Sequence, residues 1–307
     1  MGIKRFSPYF AGGIFLCLFG AICFSTKAIF VKLAYRETDV DPVTLLALRM
    51  IFSLPFFVVS AALSSNQSTN VKFTRKQWIA IAVIGCLGYY VSSLLDFLGL
   101  QYVTAGVERL ILFVYPTLVL VLSATIFKTR ITKWQWLALV VTYLGLIAAC
   151  LPEIQGKGPG ENFWKGSFLI LVCALTYAMY IVGSGKLIPA VGASKFNSYA
   201  MTFAAAAVII HFFVTTNQPL TEQPAKVYAY SFAMAIISTV IPSYLISEGI
   251  KRVGSGNAAI IASVGPVSTI LQAAIFLQEP IYTLQLFGTG LILVGVLIIG
   301  QKKQVDV

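Results

Sequence analysis

The chain has 307 residues, of which 58% are hydrophobic and only 11% charged; the formal net charge is +11. Soluble domains carry roughly 25% charged residues because their surface must be wetted, so this composition excludes a soluble enzyme and a disordered chain. No long hydrophilic block is present, which excludes a receptor with a large outer domain.

A helix that spans a bilayer needs about 20 mostly apolar residues. In chain order, apolar stretches of that kind fall at Phe10–Leu33, Pro42–Leu63, Trp78–Leu100, Val103–Phe127 and Trp134–Leu151. They continue at Phe163–Leu187, Phe196–Val214, Val227–Ile250, Val253–Leu277 and Ile281–Gly300. All ten are expected to be α-helices, because an unpaired backbone is too costly in lipid. A β-barrel is disfavoured by continuous apolar runs that do not alternate. The amino terminus carries Lys4 and Arg5 ahead of its apolar run, as a signal peptide would. That run is longer than a secretory core, so it is expected to stay as the first helix. Phe6 stands where a myristoylation signal wants Ser or Thr.

The charges sort by side. With the amino terminus in the cytoplasm, the inner ends hold Lys4, Arg5, Lys72, Arg75, Lys76, Lys128, Arg130, Lys133, Lys186, Lys195, Lys251, Arg252, Lys302 and Lys303. The outer ends hold Lys32, Arg36, Lys157, Lys165 and Lys226, a split of 14 to 5. Basic residues collect on cytoplasmic loops, so both termini are expected inside, in agreement with an even helix count. The basic residues form no run interleaved with aromatics, and nucleic acid is not an expected partner. Cys17, Cys23, Cys86, Cys150 and Cys173 all lie in apolar stretches with no metal-ligand spacing, and read as small buried hydrophobes.

A loop rich in Pro and Gly, Leu151–Phe163, divides the chain. A shift of 150 aligns Gly99–Gly145 with Gly249–Gly295 without a gap, and 10 of 47 pairs are identical, among them Gly106/Gly256, Pro116/Pro266 and Gly145/Gly295. A weaker shift of 154 aligns Gly12 with Gly166 and Lys32-Leu33 with Lys186-Leu187. The chain therefore reads as two five-helix repeats, residues 1–151 and 163–307, joined by an outer linker at 152–162. Five is odd, so the second copy enters the membrane inverted. Inverted repeats with a site between them characterise many secondary transporters.

Gly99-Leu-Gln-Tyr-Val-Thr-Ala-Gly106, Tyr115-Pro-Thr-Leu118 and Ala273-Ala-Ile-Phe-Leu-Gln-Glu-Pro280 resemble the EamA family of the drug/metabolite transporter superfamily. The ends of the two halves, Gln135–Gly145 and Gln285–Gly295, do so too. The resemblance covers nearly the whole chain. It implies a ten-helix carrier of a bacterial inner membrane, commonly an exporter of amino acids, metabolites or drugs. One departure is visible: the family's acidic turn after the fourth helix reads Phe127-Lys128-Thr129 here, while Gln278-Glu279 keeps the acid.

An ionisable residue inside a span is a functional candidate. Five stand out, all in the first half and all expected in the outer half of the membrane: Lys27, Arg49, Asp96, Glu108 and Arg109. On the third stretch Gly85, Tyr89, Ser92 and Asp96 share a helical face, and on the fourth Thr104, Glu108 and Tyr115 do. Adjacent Glu108 and Arg109 point about 100° apart and are expected to find partners on other helices. Three cations against two anions leave a positive excess. One reading is a site for an anionic group such as a carboxylate, drawn by Arg49 and Lys27, with Asp96 or Glu108 pairing the third cation or taking up a proton. The other is a closed salt-bridge network that locks the helices, because buried ions must pair whether or not they work. In the second half, Gly254, Asn257, Ile261, Gly265, Ser268 and Gln272 form a small and polar stripe. It is either close helix packing or the opposite wall of a substrate path. Pro116 and Pro266 are expected mid-helix, as matched kinks.

The rival classes are thinly supported. Gly183-Ser-Gly-Lys186 is followed by Leu187 and fails as a phosphate loop. There is no HExxH or GxSxG, and His211 alone cannot build a zinc site. The expectation is an all-α membrane protein, not an enzyme, without cofactor or metal. It is a secondary carrier in the lipid bilayer for a small metabolite, with protons as a candidate coupling ion. Export by alternating access leads, with an uptake carrier or a channel-like facilitator as alternatives.

Overall fold

A computed structural model describes residues 8–65, 72–103, 105–128, 130–156, 162–216, 219–276, 278 and 281–300. Among these the regular structure is helical and no strand occurs. The helices are α1 (Pro8–Glu37), α2 (Pro42–Ser65), α3 (Arg75–Gly99), α4 (Ala105–Leu112), α5 (Tyr115–Phe127) and α6 (Lys133–Gly156). After the loop come α7 (Phe163–Val191), α8 (Ala193–Thr215), α9 (Ala225–Val253), α10 (Ser255–Phe276) and α11 (Thr283–Gly300). Seven of them, α1, α2, α3, α7, α8, α9 and α10, are long and apolar enough to cross a membrane; α5, α6 and α11 contain shorter apolar helices.

The starts and stops follow from local chemistry. Asp41 Oδ1 accepts from the Val43 and Thr44 amides and so caps α2. Thr74 and Gln77 form a reciprocal capping box at α3, and Thr132 and Gln135 repeat it at α6. Gly192 (φ 86°) and Gly254 (φ 79°) make the tight turns from α7 to α8 and from α9 to α10, a backbone region that favours glycine.

The expected fourth span is interrupted. Phe113 and Val114 form a turn, and α5 begins just ahead of Pro116. Pro116 therefore sits in a first turn and not mid-helix, because it cannot donate to the carbonyl four residues back. The same break recurs in α10, where a 3-10 turn at Ala262–Val264 precedes Pro266. Two further irregularities recur 150 residues apart. A π turn occupies Cys86–Val91 in α3 and Ile236–Val240 in α9. Lys128 and Gln278 both adopt left-handed backbone, at φ 55° and 57°.

Packing repeats at nearly that spacing as well. A Cβ placed on Gly13 of α1 would lie 2.6 Å from Arg252 Cβ and 2.7 Å from Val253 Cγ1. One on Gly166 of α7 would lie 2.7 Å from Tyr102 Cβ and 3.0 Å from Val103 Cγ1. The packing counterpart of Gly166 is thus Gly13, one residue beyond the Gly12 that the sequence shift pairs with it. Between α6 and α11 the contacts are reciprocal: Gly145 sits against the Gly288 carbonyl and Ile292, and Gly295 against the Ala138 carbonyl and Thr142. Rising numbers on α6 meet falling numbers on α11, so the two helices run antiparallel.

Buried side chains from α1, α2, α3, α7, α8 and α9 form one continuous apolar core. The outside is apolar too. Phe15, Phe168, Ile210, Phe213, Val214, Ile275 and Phe287 all project outward, on five different helices. A soluble monomer rarely exposes contiguous apolar surface on this scale; a surface facing lipid needs it.

Candidate functional site

A cavity of about 80 Å³ lies inside the bundle. Phe24, Ser25 and Lys27 of α1 line it, with Gly88, Ser92 and Ser93 of α3 and Arg109 and Leu112 of α4. Phe113 at the break, Tyr115 of α5, Cys173 and Tyr177 of α7 and Ile246 of α9 add to the wall, and Ala262, Gly265 and Pro266 of α10 close it. The interrupted helices are what open the space: both breaks, at Phe113–Val114 and at Ala262–Val264, border it. The π turn of α3 also adds a residue to that turn, so Gly88 and Ser92 reach the cavity while Gly85 backs onto Ala200 of α8.

Charge is concentrated at one end. Lys27 Nζ lies 2.7 Å from Asp96 Oδ2, and Arg109 Nε 3.0 Å from Glu108 Oε2. The Asp96 and Glu108 carboxyls interact electrostatically with each other. Both are fully enclosed, whereas Lys27 and Arg109 keep a small exposed area toward the cavity. The carboxyls therefore stand behind the two cations, and the cavity meets a cationic front. Lys32 holds this end of α3 in place, donating to the Leu100 and Val103 carbonyls at 2.9 Å each.

The expectation that Glu108 and Arg109 do not pair is overturned. The angle of about 100° describes where the two side chains leave the helix, but both are long enough to curve back toward each other, and burial leaves each charge in need of a partner. Arg49 forms no ion pair with the other four, although it interacts electrostatically with Asp96. It is fully buried, its Nε donates to Thr239 Oγ1 at 2.7 Å, and its guanidinium lies 5.6 Å from the Phe97 ring centre. Its two terminal nitrogens have no hydrogen-bond partner among the described residues.

The other end of the cavity is aromatic. Tyr115 packs edge-on against Tyr177 with ring centres 5.3 Å apart, and its hydroxyl donates to the Ala259 carbonyl at 3.1 Å. Tyr177 stacks on Tyr180, which meets Tyr89 at 5.0 Å. Tyr89 thus supports the wall from behind without lining it. Of the stripe on α10, Gly265 lines the cavity. Gln272 donates to Ser25 Oγ (3.0 Å) and Ser268 Oγ (2.7 Å), tying α10 to α1. Asn257 faces elsewhere, accepting from Gln135 Nε2 at 3.3 Å. Thr104 lies outside the described residues. The sequence reading missed Phe24, Ser25, Ser93, Phe113, Cys173 and Tyr177, whose types are indistinguishable from core or lipid-facing residues until the helices are placed. Among the described residues, no group of three or more His, Cys, Asp or Glu could hold a metal ion.

Residues 11–150 and again 164–301 match the EamA-like transporter family. The chain belongs to the EamA-like transporter family. YcbK of Bacillus subtilis, named as an uncharacterized transporter, is 33% identical over 91% of this chain and 89% of its own length. YyaM of the same organism, named likewise, is 24% identical over 92% of each chain. A solved structure described as a crystal structure of protein superposes with a TM-score of 0.75, covering 94% of this chain and 96% of its own, at 17% identity; that likeness shows the fold. An EamA-like protein is a membrane transporter, and the cavity is the place in this one where charge, polarity and space coincide.

Proposed function

We propose that this EamA-like protein is a secondary carrier for a small organic anion, which it binds in the cavity between Arg109 and the Tyr115–Tyr177 wall. The observation that carries the reading is the orientation of the charge cluster. Its two cations face the cavity and its two carboxylates stand behind them, so the space presents positive charge to whatever enters. Arg109 supplies a planar donor suited to a carboxylate, Lys27 adds a second charge, and Ser92, Ser93 and Ser25 offer hydroxyls. Phe24, Tyr115 and Tyr177 suit an apolar or aromatic body.

The architecture proposed with it is ten membrane passages in two inverted five-helix repeats, residues 1–151 and 163–307. The π turns, the proline breaks, the left-handed residues at 128 and 278 and the Gly13/Gly166 contacts support it, all near one spacing. The antiparallel pairing of α6 with α11 through matched residues supports the inversion. The membrane is the bacterial cytoplasmic membrane with both termini inside, as the charge split favours. Transport is by alternating access, with export as the direction and protons as the coupling ion.

Purified protein in liposomes distinguishes this from a channel-like facilitator. A carrier gives saturable counterflow of a labelled organic acid from a preloaded panel of amino and aromatic acids. An uncoupled conductance without counterflow would replace the carrier by a channel.

A further inference from the structure

Glu108 and the cavity compete for one guanidinium. Arg109 is the only residue of the Glu108–Arg109 pair that reaches the cavity, and Glu108 is sealed behind it. The groups facing the two carboxyls come from every neighbouring helix: Lys27 and Tyr35 from α1, Arg49 from α2, Arg109 from α4 and the Cys173 thiol from α7. Lys27 is already committed to Asp96 at 2.7 Å, and Arg49 is bonded to Thr239. No second cation in direct contact with Glu108 is found among the described residues.

Resting on the carrier reading above, we propose that Glu108 is the proton-binding group of the transport cycle, and that substrate and proton are coupled through Arg109. With the cavity empty, Arg109 neutralises Glu108. When a substrate carboxylate takes Arg109, Glu108 is left enclosed beside the Asp96 carboxyl with no counter-charge. Two adjacent carboxylates in a buried site cannot both stay ionised, so a proton enters from the solvent in the cavity, binds a Glu108 carboxylate oxygen and is shared with Asp96. Each anion bound therefore brings one proton with it, and the pair leaves the cell without net charge, driven by the anion's own outward gradient and not by the proton gradient. Departure of the anion returns Arg109 to Glu108 and releases the proton on the side that is then open.

The test needs no knowledge of the natural substrate. Infrared spectra of the purified protein in nanodiscs separate the C=O stretch of a protonated carboxyl from the bands of an ionised one. At neutral pH the Arg109→Gln variant, which removes the guanidinium as a substrate would, is expected to show a larger protonated-carboxyl band than wild type. The band is expected to vanish in Arg109→Gln combined with Glu108→Gln. Arg109→Lys, which keeps the charge, is expected to resemble wild type and controls for folding. Benzoate, used as the probe anion, is expected to raise the same band in wild type and not in Glu108→Gln. If the band in Arg109→Gln is no larger than in wild type, or survives removal of Glu108, the coupling proposal is overturned while the carrier reading stands. If the variants behave as expected but benzoate neither binds nor changes the band, the proton site stands and the anion reading falls.

Discussion

Lys27 on α1 and Asp96 on α3 form an ion pair of 2.7 Å in which the carboxylate is wholly enclosed and the ammonium nearly so. Removing one partner of such a pair strands the other, at a cost of about 3–5 kcal/mol, whereas replacing both by apolar groups of similar size is close to neutral. Asp96→Asn should therefore lower the thermal unfolding midpoint in detergent sharply. Lys27→Met combined with Asp96→Leu should recover most of the loss, even though transport stays impaired. A double variant no more stable than Asp96→Asn would deny the pairing.

Arg49 supplies a second stability test. Its Nε is satisfied by Thr239, whose hydroxyl sits in the π turn of α9 and also donates to the Met234 carbonyl at 2.9 Å. Thr239→Val keeps the shape and deletes the acceptor, which should cost about 1–3 kcal/mol for a buried polar group left unpaired. Thr239→Ser should be close to wild type. Unfolding curves of the two variants side by side read the difference.

How far these features were legible in the sequence differs by kind. The five ionisable residues could be picked out because charge inside an apolar run is costly, and the structure brings Lys27, Asp96, Glu108 and Arg109 into one cluster. The pairing of Glu108 with Arg109 was not legible, since helical angles locate Cβ atoms and not the ends of long side chains. The aromatic wall was hidden for another reason. Tyr177 and Phe24 belong to apolar stretches in which every aromatic is equally consistent with core, lipid or cavity. The proline breaks were half legible: the residues were visible, but their displacement from mid-helix to the first turn depends on the Phe113–Val114 turn, which carries no glycine to announce it. The π turns at Cys86–Val91 and Ile236–Val240 left no compositional trace, because one extra residue per turn changes hydrogen bonding without changing residue type.

The reciprocal α6–α11 contact gives a packing prediction. A Cβ on Gly145 would stand 2.6 Å from the Gly288 carbonyl, and one on Gly295 3.0 Å from the Ala138 carbonyl, whereas Gly290 faces open space. Gly145→Val should destabilise by about 1–3 kcal/mol through overpacking, and Gly290→Val should be far milder. Gly145→Val is also expected to reduce transport if the two helices must stay in register. Equal tolerance at positions 145 and 290 would refute the close approach.

The aromatic wall makes a selectivity prediction. Tyr177→Leu keeps bulk but removes a ring partner of Tyr115, worth about 0.5–1.5 kcal/mol beyond area burial. Binding of an aromatic acid such as benzoate should weaken several-fold, and that of acetate should change little. Parallel losses for both acids would mean that the ring does not contact the ligand.

The most direct measurement is counterflow of labelled organic acid into liposomes carrying wild type, Arg109→Lys or Arg109→Gln, at equal amounts of folded protein. A carrier that holds its substrate's carboxylate on Arg109 gives saturable counterflow in wild type, reduced affinity with Lys and near-complete loss with Gln. Counterflow by Arg109→Gln at wild-type rate and affinity would contradict it.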